Sequence, residues 1–219
     1  MADNENNGRR AAIKRVAAIS ATAALPAGVL NPATAAAAEA TPARGALQAL
    51  TATEAGILEA IVARLIPSDA SGPGAKEARA ADYIDRSLAG AFAGSRKAYA
   101  AGLAAVDAYA QSSKGALFAA LSPADQDAVL TAMQKNAATG FTPNSAAFLN
   151  LLMAHTIQGT FCDPAYGGNA NFVGWDMIAY PGIRMAVAPE EQRMSVKPKP
   201  QRQSAYRDAT LAKGSSHGH

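Results

Sequence analysis

Cysteine is almost absent from this chain of 219 residues, because Cys162 is its only cysteine. A single cysteine excludes the C-x-x-C-H motif of covalently bound haem, and it excludes the cysteine clusters that hold iron–sulfur centres or structural zinc. Only three histidines are present, and two of them, His217 and His219, belong to the last three residues. The sequence therefore predicts no metal site in this chain.

Aromatic residues and long apolar runs are also scarce. Aromatic side chains make up 6% of the chain, whereas much of the hydrophobic share of 49% is alanine, the residue with the highest helix propensity. No apolar run reaches the length of about 20 residues that spans a bilayer. The net charge is only +3, and no basic face favours nucleic acid. We expect a helical protein with no membrane span and no nucleic-acid partner.

Recognisable catalytic and cofactor motifs are missing as well. No G-x-G-x-x-G sequence follows a strand pattern, so the sequence does not support flavin or nicotinamide binding in the usual manner. His155 lies on an apolar helix face, where a lone histidine is more often a hydrogen-bonded core residue than a ligand. Asp69, Asp163 and Asp176 lack the spacing of a calcium loop and are better interpreted as surface or capping residues. We predict no catalytic and no cofactor-binding residue here.

The N-terminal segment 1–35 has the pattern of a twin-arginine export signal. Arg9 and Arg10 precede an apolar residue and Lys14, and a mildly apolar run follows at 16–30. That run is too short to span a bilayer. Small residues then offer cleavage points between positions 35 and 40. The order of these features predicts a twin-arginine signal.

Two other interpretations of this segment stay open. Ala12 stands where an aromatic residue is common in twin-arginine signals, which leaves an ordinary secretory signal as one alternative. An N-terminal helix with two chance arginines is the other. We expect a protein that folds before export and resides in the periplasm, with a linker at 36–49. We expect membrane association only through partners.

Helical periodicity occupies most of residues 50–188, which we interpret as one domain. Thr51-x-x-Glu54 makes a capping box, and Ser122-Pro123-x-Asp125 is a second strong helix start. Apolar residues recur three and four positions apart after each start. The pattern predicts an all-α fold, a small bundle of about five helices. Their expected ranges are 51–66, 76–88, 95–111, 123–137 and 142–159.

The composition changes abruptly after Gly159. Residues 160–185, here called the C-terminal loop, are rich in Gly, Asn, Asp, Pro and aromatics and have no helical period. Loops of this length inside a compact domain are usually functional. Trp175, Tyr166 and Tyr180 are residues typical of interface centres, so we interpret the loop as a recognition surface. The alternative is that the loop only packs across its own helices.

The remaining segment, the tail at 189–219, is polar and rich in Pro, Lys and Gln. Such a composition buries too little apolar surface to fold by itself. We expect it to be extended or disordered.

Two motif blocks in the C-terminal loop resemble those of the gluconate 2-dehydrogenase subunit 3 family. The resemblance covers roughly residues 50–185. The first block follows Gln158 and reads Phe161-Cys162-Asp163-Pro164-x-Tyr166-Gly167-Gly168-Asn169; the second comprises Gly174-Trp175 and Tyr180-Pro181-Gly182.

Members of this family are exported small subunits that accompany a large flavoprotein, often together with a cytochrome c subunit. The resemblance implies that this chain is a non-catalytic subunit, that FAD belongs to the large flavoprotein, and that haem c belongs to a third subunit. We expect the C-terminal loop to dock the flavoprotein. The expected docking residues are Phe161, Cys162, Asp163, Pro164, Tyr166, Gly167, Gly168, Asn169, Gly174, Trp175, Tyr180, Pro181 and Gly182.

Three alternatives remain open at this point. Cys162 forms an intersubunit disulfide, or it stays a buried or free thiol. The chain is a subunit of such a complex, or it is a free-standing periplasmic binding or assembly factor that uses the same loop for another protein. A third class, an enzyme acting alone, is disfavoured because no catalytic motif is recognisable.

Overall fold

The computed structural model of the chain describes residues 46–70, 72–184 and 186–206. The predicted export signal at 1–35, with Arg9, Arg10 and Lys14, lies outside the described residues. So do the first residues of the predicted linker.

Within the described ranges the chain forms six α-helices. The only β structure in these described ranges is an isolated bridge between Asp69 and Gly72. The predicted all-α class, a small helical bundle, is therefore confirmed. The helices are α1 (Ala52–Leu65), α2 (Ala80–Leu88), α3 (Arg96–Lys114), α4 (Pro123–Gln134), α5 (Ser145–Phe161) and the short α6 (Val173–Met177).

The two strongest start signals form helix caps as predicted. The Thr51 hydroxyl accepts the backbone N–H of Glu54 at 3.2 Å, and the Glu54 carboxylate accepts the N–H of Thr51 at 2.8 Å. The Ser122 hydroxyl accepts the N–H of Asp125 at 3.2 Å, with Pro123 as the first helical residue. Local hydrogen bonding thus sets where α1 and α4 begin.

Four predicted helix bounds differ from the structure by three residues or more. α3 continues to Lys114 instead of residue 111 and ends before Gly115, which has a left-handed backbone with φ of 81°. α2 begins at Ala80 instead of residue 76, because Arg79 has a left-handed backbone with φ of 57°. α5 begins at Ser145, because the Asn144 side chain caps the N–H of Ala147 at 2.9 Å. α4 ends at Gln134, three residues early, just before the left-handed Asn136. In all four places a left-handed backbone or a side-chain cap, and not the apolar periodicity, sets the bound of the helix.

α5 is the central helix of the bundle, since it contacts α1, α2, α3, α4 and α6. His155 on this helix is buried and forms a 2.9 Å hydrogen bond between its Nδ1 and the Tyr99 hydroxyl. Its ring stacks on Phe92 with centroids 4.1 Å apart. Burial lowers the pKa of His155 and raises that of Tyr99. His155 is therefore a core residue, as its place on an apolar face predicted.

Asp85 on α2 holds the segment that leads into α1. Its buried carboxylate accepts the backbone N–H groups of Gln48, Ala49 and Leu50 at 2.7, 3.0 and 2.8 Å. Three N–H donors satisfy a carboxylate that would otherwise be costly to bury. These hydrogen bonds attach the segment before α1 to α2.

In the described part of the chain, no helix is both long and apolar enough to cross a bilayer.

Candidate functional site

The C-terminal loop is fixed to the end of α5 by a fully buried asparagine, Asn169. Its backbone N–H donates to the carbonyl of Gly159 at 2.8 Å. Its side-chain amide donates to the carbonyl of Cys162, and its side-chain oxygen accepts the N–H of Gly174, both at 2.8 Å. One residue therefore joins the end of α5, the turn after it and the start of α6.

Two glycines of the motif blocks let this backbone lie directly on α5. A Cβ atom at Gly168 would stand 2.1 Å from the carbonyl oxygen of Gly159, and one at Gly174 would stand 1.8 Å from that of Thr160. Neither distance is possible for a real side chain. These glycines are needed for close approach within the chain, so they hold the loop in place.

Trp175 is the centre of a small aromatic cluster inside the loop. Its ring meets Tyr180 edge-on at 4.9 Å and Phe172 at 5.3 Å, and its indole N–H donates to the carbonyl of Phe161 at 3.0 Å. Only 6% of the residue is exposed. The Trp175 side chain thus packs inside its own chain, and its predicted contact with a partner stays a prediction.

Other residues of the loop present the apolar surface that a partner could contact. Tyr166 is 51% exposed and Tyr180 is also exposed. Met177 and Ile178, at the end of α6, are also exposed, and so is Ile157 on α5, which shares a groove with Tyr166. We call these five residues the docking surface: Ile157, Tyr166, Met177, Ile178 and Tyr180. Sequence reasoning missed Ile157, Met177 and Ile178, although two adjacent apolar residues in a polar loop were a usable signal.

Cys162 lies where α5 ends, beside a groove of about 350 Å³ that opens on the docking surface. Tyr83, Ile157, Gln158, Phe161 and Tyr166 line the rest of this groove. The thiol is free and half-buried, and burial raises the pKa of Cys162 to about 11. The neighbouring Asp163 carboxylate raises it further, whereas the N–H of Gly168 acts in the opposite sense. Tyr83 and Ile157 carry no sequence motif and were missed.

The other predicted loop residues shape turns. Pro164 is the first residue of a single 3-10 turn, Pro164–Tyr166, which the Asp163 side chain caps by accepting the N–H of Ala165 at 2.9 Å. Gly167 and Gly182 have positive φ angles of 94° and 85°. They give the chain the reversals that bring Tyr166 and Tyr180 to the surface.

Part of the tail returns to the C-terminal loop instead of leaving the domain. Residues 199–206, here called the strap, cross the loop from Pro181 to Tyr166. The strap contacts Asp163, Tyr166, Asp176 and Pro181.

The structure does not bring Asp69, Asp163 and Asp176 together, and in the described residues no group of three or more His, Cys, Asp or Glu is placed to hold a metal ion.

Comparison with known proteins adds one match. The family described as gluconate 2-dehydrogenase subunit 3 matches residues 52–182, which extend from the start of α1 to the end of the second motif block. No curated protein and no solved structure is found to be similar. Because the match covers more than half of the chain and includes both motif blocks, the chain belongs to the gluconate 2-dehydrogenase subunit 3 family.

Proposed function

We propose that this chain is the non-catalytic small subunit of a membrane-associated, FAD-dependent complex that oxidises a sugar or a sugar acid, as a gluconate 2-dehydrogenase does. The observation that carries the proposal is the family match over 52–182, which includes the helical bundle and both motif blocks. In this proposal the large flavoprotein binds FAD and the substrate, and a third subunit carries haem c. The small subunit docks and stabilises the flavoprotein.

The docking surface supports this role because it combines exposure with rigidity. Ile178 is 58% exposed on a loop whose backbone is fixed by Asn169 and by the Trp175 cluster. Aromatic and apolar side chains held in place lose little conformational entropy on binding, so they contribute strongly to an interface. The buried residues of the motif blocks thus hold the loop, and the exposed ones contact the flavoprotein.

Docking is tested by placing a charge on the docking surface. Ile178→Asp should weaken binding of the FAD-loaded large subunit at least tenfold, because an unpaired carboxylate is costly in an apolar interface. Leu117→Asp is the matched control, since Leu117 is 53% exposed in the connection between α3 and α4. Affinity is measured by titrating each purified chain onto the immobilised flavoprotein. Equal affinities for the two variants would reject this surface, and no binding by the wild type would favour a free-standing binding or assembly factor.

We also propose that Cys162 forms a disulfide with the flavoprotein. Its position at the groove beside Tyr166 supports this, because an unpaired thiol at an interface in an oxidising compartment is available for pairing between chains. The intact complex should show a band on non-reducing electrophoresis that reductant splits into two. A complex whose bands reductant leaves unchanged would make Cys162 a buried or free thiol.

Export by the twin-arginine pathway is the third part of the proposal. The pair Arg9 and Arg10 with Lys14 would carry the folded chain, together with its FAD-loaded flavoprotein, into the periplasm. Arg9→Lys with Arg10→Lys should leave precursor in the cytoplasm, as measured by fractionation and immunoblotting. Deletion of the small subunit should leave the flavoprotein there too. Normal export of the double variant would contradict the signal, and normal flavoprotein export in the deletion strain would contradict co-export.

A further inference from the structure

One end of the strap is bound near the second motif block. The backbone N–H of Gln201 donates to the carbonyl of Pro181 at 2.8 Å. The next residue, Arg202, pairs with the Asp176 carboxylate on α6 at 2.6 Å. This end of the strap is therefore attached to α6 and to the second motif block.

The other end of the strap is bound at the first motif block. Both carboxylate oxygens of Asp163 are used: one accepts the Ser204 hydroxyl at 2.6 Å and the other accepts the N–H of Ala205 at 2.8 Å. Tyr206 then meets Tyr166 edge-on, with ring centroids 5.4 Å apart and their hydroxyls hydrogen-bonded. The strap thus ends on Tyr166, a residue of the docking surface and of the groove beside Cys162.

The strap is held by polar contacts that solvent can replace. The Arg202 side chain is 60% exposed, and ion pairs at that exposure add little stability. In the strap only Gln203 and Ser204 are partly buried, and its aromatic contact, that of Tyr206 with Tyr166, joins two exposed side chains. Its residues also lie beyond the segment that matches the family. These features distinguish the strap from the C-terminal loop beneath it, whose buried asparagine and tryptophan cannot detach in the same way.

We infer that the strap is a displaceable cover of one edge of the docking surface: in the free subunit it occupies Tyr166 together with the neighbouring Asp163, Asp176 and Pro181, and the flavoprotein must displace it to contact Tyr166 fully. The inference rests on the proposed function, because it concerns the same surface. Only molecules whose strap is open can bind the flavoprotein in this way. The apparent affinity is therefore the intrinsic affinity multiplied by the fraction of open molecules. A strap closed nine-tenths of the time would weaken docking about tenfold.

The test changes the strap and leaves the loop intact. Arg202→Glu combined with Ser204→Ala removes the pair with Asp176 and the hydroxyl that binds Asp163. The matched control is Arg193→Glu combined with Ser195→Ala, which makes the same chemical changes at exposed tail positions outside the strap. Apparent Kd for the FAD-loaded large subunit is measured for both full chains and for the wild type. The strap variant should bind about three- to tenfold more tightly, and the control should match the wild type.

The outcomes separate this inference from the proposed function. Equal or weaker binding by the strap variant, with measurable binding by the wild type, overturns the cover and leaves the docking role in place. Binding by none of the chains overturns the docking role. In that case the strap is tested in the free chain by hydrogen exchange of the Ala205 amide. Exchange should be slower in the wild type than in the strap variant. Equal exchange in the two chains would overturn the cover in that case too.

Discussion

At the scale of single residues, Asn169 determines the geometry of the C-terminal loop. Its three hydrogen bonds join α5 to α6, and its left-handed backbone, with φ of 44°, suits asparagine better than most residues. A residue of this kind is recognised in sequence only as part of a motif. Its burial, which makes it structural, becomes visible only in three dimensions.

Asn169→Ala should destabilise the fold by about 2–4 kcal/mol, because it leaves the carbonyl of Cys162 and the N–H of Gly174 buried and unpaired. Asn171→Ala is the matched control. Asn171 is also left-handed, with φ of 54°, but is exposed, so both substitutions share the backbone cost and only the first loses buried hydrogen bonds. Urea unfolding of the two variants measures the difference. Equal unfolding midpoints would contradict the structural role of Asn169.

Cys162 should be a slow nucleophile in the free chain. With its pKa raised to about 11 by burial, only about one molecule in 10⁴ carries the thiolate at pH 7, about a hundredfold fewer than at an ordinary pKa of 9. The rate of alkylation by iodoacetamide should rise about tenfold per pH unit up to about pH 11. The urea-unfolded chain serves as the control. A rate that levels off near pH 8 in the folded chain would contradict this pKa.

At the scale of elements, the helices were predictable and their junctions were not. Caps at Thr51 and Ser122 and the apolar periodicity are local, so the sequence predicts α1 and α4 closely at their starts. The start of α2 follows the left-handed Arg79, and the carbonyl of Ala78 just before it accepts the N–H of Ala170 from the C-terminal loop, a distant partner that periodicity does not show. The short α6 has too few residues to show a period. Its position comes from packing on α5.

The packing of α6 on α5 predicts opposite effects for the same substitution in two helices. Gly174→Ala should destabilise the fold by about 1–3 kcal/mol, because the added carbon would overlap the carbonyl oxygen of Thr160. Gly56→Ala in α1 should stabilise it by about 0.5–1 kcal/mol, because no atom lies within 4 Å of the added carbon and alanine favours helix. Thermal unfolding measures both. A Gly174 variant as stable as the wild type would show that α6 can move away from α5.

The candidate site was predicted in position but not in detail. Both motif blocks form one loop at the end of α5, as the abrupt change of composition after Gly159 indicated. In the sequence Trp175 and Tyr166 look alike, because each is an aromatic residue next to a glycine, yet Trp175 is buried and Tyr166 is exposed. Which face is exposed depends on the distant contacts of Trp175 with Phe161 and Tyr180. Such contacts leave no periodic trace in a loop.

At the scale of the whole molecule, the stability of the fold should depend on pH through His155. Burial lowers the pKa of His155 below its ordinary value of 6.5, so the unfolded chain binds more protons than the folded one near that pH. Stability should therefore fall as pH decreases through about 6.5. His155→Gln should be less stable at pH 8 but should lose this part of the pH dependence.

The measurement is the free energy of unfolding in urea at pH values between 5 and 8. His217 and His219 are present in both proteins, so their contributions cancel in the comparison. Parallel curves for the wild type and the variant would show that His155 titrates alike in the folded and unfolded chains.

The hydrogen bonds that Asp85 accepts from the segment before α1 have a consequence for how that segment can vary. Asp85 contacts main-chain N–H groups only, so it does not distinguish the side chains at positions 48 and 49. Any residue there keeps the hydrogen bond except proline, which has no N–H to donate. The exposed position 48 can therefore change its amino acid and keep the path of the segment, whereas Ala49 also packs against the core and the aspartate that fixes this path cannot change.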